Sequence, residues 1–542
     1  MTRPQKSSFA RVIDRALNVV GLQRTPSKRT SVFAGASGSR LTLDWVAPIL
    51  SADQECRGNL RLLRARGPEL VRNNPIARHF LNLLSANVVG PAGIRYQSLV
   101  RDSKGDIDRD TNKKIEAAWQ EWCNKGNCTV DGKLSFRAVQ DLCLRTEAMD
   151  GESFVRKIRG FDNKFGFALQ MIDADQVDHL FSRPGGNRSG ENEVRLGIEV
   201  NKWGRPVTYW VNPGHPSDFG GSILREPIPA DQIVHLFDPY RVNQTRGLTW
   251  FHAGMMSLKM LNGYMEAEIV AARVGAAKMA FLVNTDPAAY DGQNDDPNEP
   301  LRIEANAGVF EELPPGYDVK PFVPDHPSNA FENFVKTNLR WVASSLGASY
   351  NALANDLQGV NYSSLRSGML IERDHWKQVQ KHISEDFMQP IFDEWLKMSL
   401  LTGALKLESR DPARYSTGKW IPRGWQWVDP YKETQAAVMG IAAALQTRDQ
   451  VISDRGGDYE EVFEQLAEED KVAEEFGIDL VAALPARPST QNNPAGVDDE
   501  NEPSENPAAD KEQDEPDEQK NGRAARQALR LRKAASLLEI LQ

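Results

Sequence analysis

The 542-residue sequence contains no apolar run of eighteen or more residues, the length that a helix needs to span a lipid bilayer. We therefore expect no transmembrane helix and no membrane partner. No apolar stretch follows Arg3 and Lys6, so a signal peptide is not expected either. The sequence has only four cysteines: Cys56, Cys123, Cys128 and Cys143. Their spacing forms no repeated framework, which predicts free thiols in a reducing compartment.

Motifs of common enzyme chemistry are also absent. No G-x-x-x-x-G-K-[ST] segment occurs, which disfavours a P-loop ATPase. The segment Gly35–Arg40 is glycine-rich, but it lacks the lysine and the preceding strand of a phosphate-binding loop. The G-x-S-x-G, H-E-x-x-H and dinucleotide-binding patterns are missing too. The sequence therefore predicts no catalytic residue, and no cofactor is expected.

Two segments carry residue types that can bind metal. Cys123 and Cys128 are close in sequence, but no second Cys or His pair has a matching spacing, so reduced thiols are favoured. Asp173, Asp175 and Asp178 follow a predicted strand, where converging carboxylates would suit a metal-dependent nuclease. An acidic loop that ends the strand is the favoured interpretation, and no metal is expected. A nucleic-acid enzyme built on these three residues stays open as an alternative.

Charge is unevenly distributed along the chain, whose net charge is −10. Residues 1–40 carry eight basic and one acidic side chain, which predicts a mobile basic arm. Residues 485–522 carry eleven acidic and three basic side chains and predict a disordered acidic linker. Residues 523–542 are basic and amphipathic, which favours a docking helix or a frayed tail. The acidic body between these ends argues against a broad grip on duplex DNA and fits a surface along which DNA slides.

The body of the chain predicts a helix-rich α+β fold. Apolar residues at helical spacing predict two helices in 60–84, separated near Pro75. The signal from Glu152 to Asp238 is mostly β and predicts two hairpins, one formed by 153–159 with 167–172 and one by 196–200 with 206–211. In the last of these strands Val207, Tyr209 and Val211 alternate with Thr208 and Trp210, the period of a half-buried strand.

The stretch from Thr249 to Leu401 is the most distinctive part of the sequence. A proline-free helix of roughly 45 Å is predicted from Trp250 to Lys278. A proline-rich insertion follows, then a returning helix, a polar loop over 350–364 and another long helix that Pro390 should kink or end. The first helix is rich in small residues, which lets neighbouring helices approach closely, although an ordinary core helix is the alternative. This order suits a ring around a channel better than a catalytic pocket.

Several segments, taken in order, resemble the lambda-type portal proteins of tailed bacteriophages. The segments are Arg64–Ala77, Asn87–Pro91, Asp150–Phe154, Ile228–Phe237, Arg246–Trp250, Gly347–Asp356 and Asn361–Ser364. The resemblance runs from about residue 41 to residue 482. It implies a portal fold with a β-containing wing, a helical stem, a small clip insertion and a helical crown.

The resemblance also implies a division of the chain into parts. These are a wing (41–247), a stem helix (248–280), a clip (281–328), a returning stem helix (329–349), a tunnel loop (350–365), and a long wing helix with C-terminal wing or crown helices (366–484). The tunnel loop would face DNA through Asn351, Asn355, Asp356, Gln358, Asn361, Tyr362, Ser363 and Ser364.

The function implied by the resemblance is structural. Twelve copies would form a ring at one capsid vertex of the virion, after assembly in the host cytoplasm, and double-stranded viral DNA would pass through it. Expected partners are further copies of the chain, the terminase large subunit, the major capsid or scaffold protein, and head-completion or tail connector proteins. A head-joining or minor capsid protein without a DNA channel is the alternative from another structural class.

Overall fold

The computed structural model describes residues 44, 47–185, 191–218, 224–276, 280–284, 317–321, 330–425 and 430–477. The predicted arm (1–40), linker (485–522) and C-terminal helix (523–542) lie outside the described residues, as does most of the predicted clip. The chain divides into two units, Met1–Ala467 and Glu468–Gln542. The contacts discussed below belong to the first unit. Among the described helices, none is long and apolar enough to cross a membrane.

Helices are the main elements of the described chain. The α-helices are α1 (Ala52–Asn73), α2 (Pro75–Leu84), α3 (Arg109–Cys123), α4 (Phe136–Asp150), α5 (Met255–Ala276), α6 (Phe331–Leu346), α7 (Tyr350–Ala354), α8 (Tyr362–Ile383), α9 (Gln389–Thr402), α10 (Pro430–Ala442), α11 (Arg448–Asp454) and α12 (Tyr459–Phe476). The π-helical turns Ser85–Val89 and Ser384–Met388 continue α2 and α8. Short 3-10 helices span Ala174–Gln176, Ala230–Gln232, Trp250–Ala253 and Pro412–Arg414.

The strands are short, and all of their pairings in the described chain are antiparallel. They are β1 (Arg95–Ser98), β2 (Ser153–Arg159), β3 (Phe167–Ile172), β4 (Glu193–Arg195), β5 (Ile198–Val200), β6 (Pro206–Val211), β7 (Glu226–Pro229), β8 (Ile233–Leu236), β9 (Ala280–Asn284), β10 (Tyr317–Pro321) and β11 (Gly418–Ile421). The sheet orders are β3-β2-β8, β4-β5-β6-β7, β1-β11 and β10-β9. This helix-rich α+β architecture confirms the predicted fold class, and both predicted hairpins are present.

Proline and asparagine set the helix boundaries that the sequence predicted. Asn74 separates α1 from α2, and its side chain accepts hydrogen bonds from the backbone of Ile76 and Ala77 at 3.0 and 3.1 Å. Pro390 closely follows the π-helical turn Ser384–Met388, which joins α8 to α9 in continuous helical backbone. The helix was expected to kink or end near Pro390, and the structure has a π-helical turn there and no end of the helix.

The predicted helix over 248–280 is shorter than expected. Residues Trp250–Ala253 form a 3-10 helix, and α5 begins only at Met255. Its 22 residues give a length of about 33 Å instead of 45 Å. Gly254, at the break, lies so close to α6 that a Cβ atom there would stand 2.5 Å from the Ser345 Oγ. Glycine is therefore favoured at this position, because a larger residue would have to displace the Ser345 hydroxyl.

An aromatic cluster joins α3, α4 and α9. Trp119 stacks on Trp122 with ring centroids 4.9 Å apart, and it meets Trp395 edge-on at 4.9 Å and Phe392 edge-on at 5.2 Å. Phe136 of α4 packs edge-on against Trp119 at 5.2 Å. All five side chains are buried. Aromatic side chains bury the largest areas, so this cluster anchors the long helical passage that begins at α8.

A buried ionic cluster forms where four chain segments meet. Glu152, which is fully buried, accepts hydrogen bonds from Arg246 Nε at 2.9 and 3.0 Å, and the Arg246 Nη2 lies 2.7 Å from it. It also contacts Arg64 of α1. Burial lowers the pKa of Arg64 to about 9 and that of Arg246 to about 10, which leaves both charged at neutral pH. Burial lowers the pKa of His235 well below its ordinary value, so this imidazole is neutral and donates from Nε2 to Glu152 at 2.9 Å.

Arg246 extends the cluster to the backbone of the neighbouring sheet. Its Nη1 donates to the carbonyl of Leu196 at 2.6 Å and to that of Val177 at 3.3 Å. The cluster is closely packed because a Cβ atom on Gly247 would stand 1.9 Å from the carbonyl oxygen of Gly151. The segments around 150–154 and 246–250, almost a hundred residues apart, are thus joined by backbone contact and buried charge.

The Glu152→Gln variant should be strongly destabilised. It leaves Arg64 and Arg246 buried without their counter-charge, and loss of one partner from a buried ion pair costs about 3–5 kcal/mol. Urea unfolding measures the change in the free energy of unfolding. The matched control is Asp231→Asn, which removes the more exposed partner of Arg159 and should cost no more than about 1 kcal/mol. Equal losses in the two variants would contradict this assignment.

A second buried pair fixes α8 against α4. His382 Nε2 lies 3.0 Å from Glu147 Oε1, and His382 Nδ1 lies 2.8 Å from Asp386 Oδ2. Glu147 is fully buried. Burial alone lowers the pKa of His382, but the hydrogen bond and the charge of Glu147 outweigh it and raise this pKa to about 9.

The stability cost of His382→Gln should depend on pH. Because folding raises the pKa of His382, its contribution is full below the unfolded value near 6.5 and is lost as pH rises through about 9. The difference in melting temperature between the variant and the unmodified chain should therefore be largest near about pH 6 and shrink towards about pH 9.5. A difference that stays constant over this range would show that the proton on His382 does not stabilise the fold.

Candidate functional site

The predicted tunnel loop is only partly a loop in the structure. Residues Tyr350–Ala354 form the short helix α7, and α8 already begins at Tyr362. The irregular part is a turn over 355–361, here called the polar turn. The predicted DNA-facing residues Tyr362, Ser363 and Ser364 therefore lie in the first turn of α8.

Two capping residues explain this arrangement. The Ser349 hydroxyl accepts a hydrogen bond from the backbone N–H of Ala352 at 3.3 Å and starts α7. The Asn361 side chain accepts from the backbone N–H of Ser364 at 2.8 Å and starts α8. Serine and asparagine are preferred caps, so both boundaries had a signal in the sequence. Asn361 is thus a helix cap whose side chain remains exposed.

Asp356 holds the polar turn in place. Its Oδ2 accepts from the Tyr350 hydroxyl at 2.7 Å, and its Oδ1 accepts from the backbone N–H of Gln358 at 2.9 Å. The Lys336 ammonium of α6 lies 3.6 Å from Oδ2. The hydrogen bond from Gln358, followed by that from Tyr350, holds the pKa of Asp356 below its ordinary value. The carboxylate thus contacts three groups of its own chain, so Asp356 stabilises the conformation of the turn.

The helix α7 is attached to the body of the protein. Leu353 is buried, and the Ala352 carbonyl accepts a hydrogen bond from His79 Nε2 of α2 at 3.0 Å. Asn355 ends α7 with a left-handed φ of 52°, a conformation that asparagine tolerates better than most residues. The polar turn therefore begins at a helix that is packed against the body of the protein.

The structure separates the predicted site residues by exposure. Four of them are exposed: Asn355, Gln358, Asn361 and Ser364. Asn351 and Asp356 are half-buried. The side chains of Tyr362 and Ser363 lie outside the part that the structure describes. Leu357, which is 63 % exposed, lies among the exposed polar residues and was not predicted as part of the site.

Two basic residues of α6 next to the turn were missed by the sequence reasoning. Besides the contact of Lys336 with Asp356, the Arg340 guanidinium lies over the Tyr350 ring, 5.2 Å from its centroid. The spacing of four between Lys336 and Arg340 places both on one face of a helix, which was the available signal. They place positive charge next to Asp356 at the base of the turn, whose exposed side chains are uncharged.

The acidic residues considered for a nuclease do not converge as a set of three. Asp178 Oδ2 accepts from Arg225 Nε at 2.6 Å. Asp173 caps the 3-10 helix Ala174–Gln176, and Asp175 lies 3.3 Å from Arg64. Each carboxylate thus has a structural partner. The four cysteines are free thiols, as predicted.

In the sequence comparisons, this chain is similar to phage portal proteins. The sequence matches the family "Phage portal protein, lambda family" over residues 38–380, more than half of the chain. The "Probable portal protein" of Halomonas phage phiHAP-1 is 36% identical over 459 residues, covering 83% of this chain and 88% of the relative. The "Portal protein" of Escherichia phage N15 is 26% identical, covering 80% of this chain and 88% of the relative. The "Portal protein B" of Escherichia phage lambda is 25% identical, covering 78% and 86%.

Solved structures give only a distant likeness. A chain of "Neck of native GTA particle computed with C12 symmetry" is 13% identical, with a TM-score of 0.37 over 71% of this chain and 91% of that chain. A chain of "Neck of empty GTA particle computed with C6 symmetry" is 13% identical, with a TM-score of 0.40 over 72% and 93%. At these TM-scores the likeness carries no argument about fold or assembly.

Asp356→Ala should loosen the polar turn. The substitution removes the acceptor for Tyr350, for the Gln358 backbone and for Lys336, so cleavage by chymotrypsin next to Leu357 should become several-fold faster. Gln358→Ala is the control, because it keeps the backbone N–H that Asp356 binds. Oligomer assembly should be unchanged in both variants. Equal cleavage rates in the two would show that Asp356 does not hold the turn.

Proposed function

The chain belongs to the lambda family of phage portal proteins, and from that premise we propose that it forms a ring at one capsid vertex through which viral DNA enters and leaves. Membership of this family makes the chain a structural protein and not an enzyme, so the nuclease alternative is wrong. The proposal concerns the finer points: the channel, the parts of the chain that line it and the partners that dock on it.

The observation that carries the channel proposal is the polar turn. Its exposed side chains Asn355, Gln358 and Asn361 are polar and uncharged. Such groups contact phosphates without reading sequence, and they form few of the strong ionic contacts that would hold DNA in place. A turn of this composition on a fixed base suits a surface past which a duplex moves.

Exposed apolar side chains on the α5–α6 pair support a ring. Tyr264 of α5 packs against Phe334 of α6, with ring centroids 5.1 Å apart, which holds the two helices together. The pair nevertheless leaves large apolar side chains exposed: Met256, Met260, Ile269, Val270, Phe334 and Trp341. A heterologous contact repeated around a closed axis would cover such a surface in every copy. We assign this pair to the stem, and twelve copies to the ring by family resemblance.

The remaining parts are proposed from the family resemblance. Residues 41–247 form the wing, and 366–484 form the long wing helix with wing or crown helices. The clip is residues 281–328, of which the β9–β10 pair marks the base. We propose that the terminase large subunit docks on the clip during packaging, and that head-completion or tail connector proteins bind there later. Capsid or scaffold protein would contact the ring in the host cytoplasm, before the ring becomes part of the virion.

A change of charge on the polar turn tests the channel. Gln358→Glu keeps the size of the side chain and adds one negative charge per copy, so rings should form normally while DNA packaging falls several-fold by repulsion of the phosphates. Removal of Leu357–Gly359 should likewise spare the rings and impair packaging or retention of DNA. Nuclease-protected DNA in assembled particles measures both effects.

Gln120→Glu is the matched control, because it adds the same charge at an exposed position on α3. Normal DNA content in the Gln358→Glu and deletion variants would refute the assignment of the turn. Negative-stain images of the purified chain test the ring itself. A ring with a central hole supports the channel, whereas a shell or a closed disc supports a head-joining protein without one.

A further inference from the structure

Three potential metal ligands meet at a place that the portal function does not use. Asp173 and Asp175 follow β3, whereas His215 follows β6, some forty residues later. The His215 Nε2 lies 3.9 Å from Asp173 Oδ1 and 3.8 Å from Asp175 Oδ2. One ligand atom from each residue lies within 4.8 Å of the other two.

The backbone holds these two segments together without any contribution from the three side chains. The Asn212 N–H donates to the Gln176 carbonyl at 2.8 Å, and the Gln176 side-chain amide donates to the Asn212 carbonyl at 3.1 Å. Val177 and Val211 form an antiparallel bridge beside them. Asp173 is oriented by a capping box with Gln176. A preformed arrangement binds a metal with little ordering cost.

The charges around the cluster favour a cation. Arg64 lies 3.3 Å from Asp175 Oδ1, which leaves Oδ2 directed towards His215. Burial and, after it, the negative charge of Asp173 raise the pKa of the neighbouring Asp150 to about 7, although Arg64 acts in the opposite direction. Negative charge near Asp150 is therefore not fully balanced by Arg64.

We propose that Asp173, Asp175 and His215 bind a divalent transition-metal ion, Zn²⁺ in the first place, with solvent completing the coordination. Imidazole nitrogen and carboxylate oxygen are ordinary zinc ligands, with bonds of about 2.0–2.2 Å. Tetrahedral ligands at such bonds stand roughly 3.3 Å apart, so each of the two distances from His215 Nε2 to a carboxylate oxygen needs to close by about half an ångström. The imidazole disfavours Mg²⁺ and Ca²⁺, which prefer oxygen ligands alone.

The bound ion would act as a cross-link. It would tie the end of β3, in the three-stranded sheet, to the segment after β6, in the four-stranded sheet. The thiols are poor competitors for zinc, because burial raises the pKa of Cys56 to about 11 and that of Cys128 and Cys143 to about 12.

Calorimetric titration of the untagged full-length chain with ZnCl₂, after treatment with a chelator, tests the site. The unmodified chain should bind one Zn²⁺ per copy, and MgCl₂ should give no comparable heat. His215→Gln should weaken Zn²⁺ binding about tenfold or more. Asp173→Asn should do the same while keeping the cap on the 3-10 helix, because asparagine also caps. Zn²⁺ should raise the melting temperature of the unmodified chain more than that of either variant.

His252→Gln is the matched control, because it removes another exposed histidine. It should leave Zn²⁺ affinity unchanged. Circular dichroism of the zinc-free variants establishes that they are folded, so a loss of binding reports on the site. Unchanged affinity in folded His215→Gln, absence of binding by the unmodified chain, or a loss that follows His252 instead would overturn the proposal.

Discussion

The contact between the buried Glu152 carboxylate and two buried arginines is the constraint on which the described structure depends. Charges removed from water are tolerated only when paired and fully hydrogen-bonded, and Arg246 meets this condition with the carboxylate and with backbone carbonyls of the neighbouring sheet. The contact fixes where the chain leaves the sheets at Gly247 and enters the helical passage. The ion pairs of Glu152 therefore fix the position of α5. Through α5 they also fix the positions of α6 and the polar turn.

Local patterns of the sequence were sufficient for much of this architecture. The hairpin β2–β3 has the predicted bounds because its strands are short runs with many apolar residues that follow each other closely in sequence. The separation of α1 from α2 was visible in Asn74 and Pro75. Family membership followed from short segments in a fixed order. Four of these segments meet at the buried cluster, which gives a physical reason for their combination: Arg64–Ala77, Asp150–Phe154, Ile228–Phe237 and Arg246–Trp250.

Long-range pairings and short elements were beyond such reasoning. Arg64 lies on a helix of mixed polarity and has the sequence context of a surface residue, yet it is 3 % exposed. Helix α7 has five residues, too few for a periodic pattern, although its cap Ser349 was visible. The contacts of Asp356 with Tyr350 and Lys336 were not predicted, because an acidic residue in a loop gives no sign of them. The approach of His215 to Asp173 and Asp175 was not predicted, because it depends on the long-range pairing of Gln176 with Asn212.

The attachment of α7 to α2 has a mechanical consequence for the proposed ring. Leu353 is buried, and the Ala352 carbonyl is hydrogen-bonded to His79. These contacts restrict movement of the polar turn relative to α2. Its base is as stiff as the helices on which it sits. In a closed ring the polar turns of all copies would then lie at the same height along the ring axis and at the same distance from it. The bore at that level could widen or narrow only if α2 and α6 moved as well, so its diameter would be a property of the whole protomer.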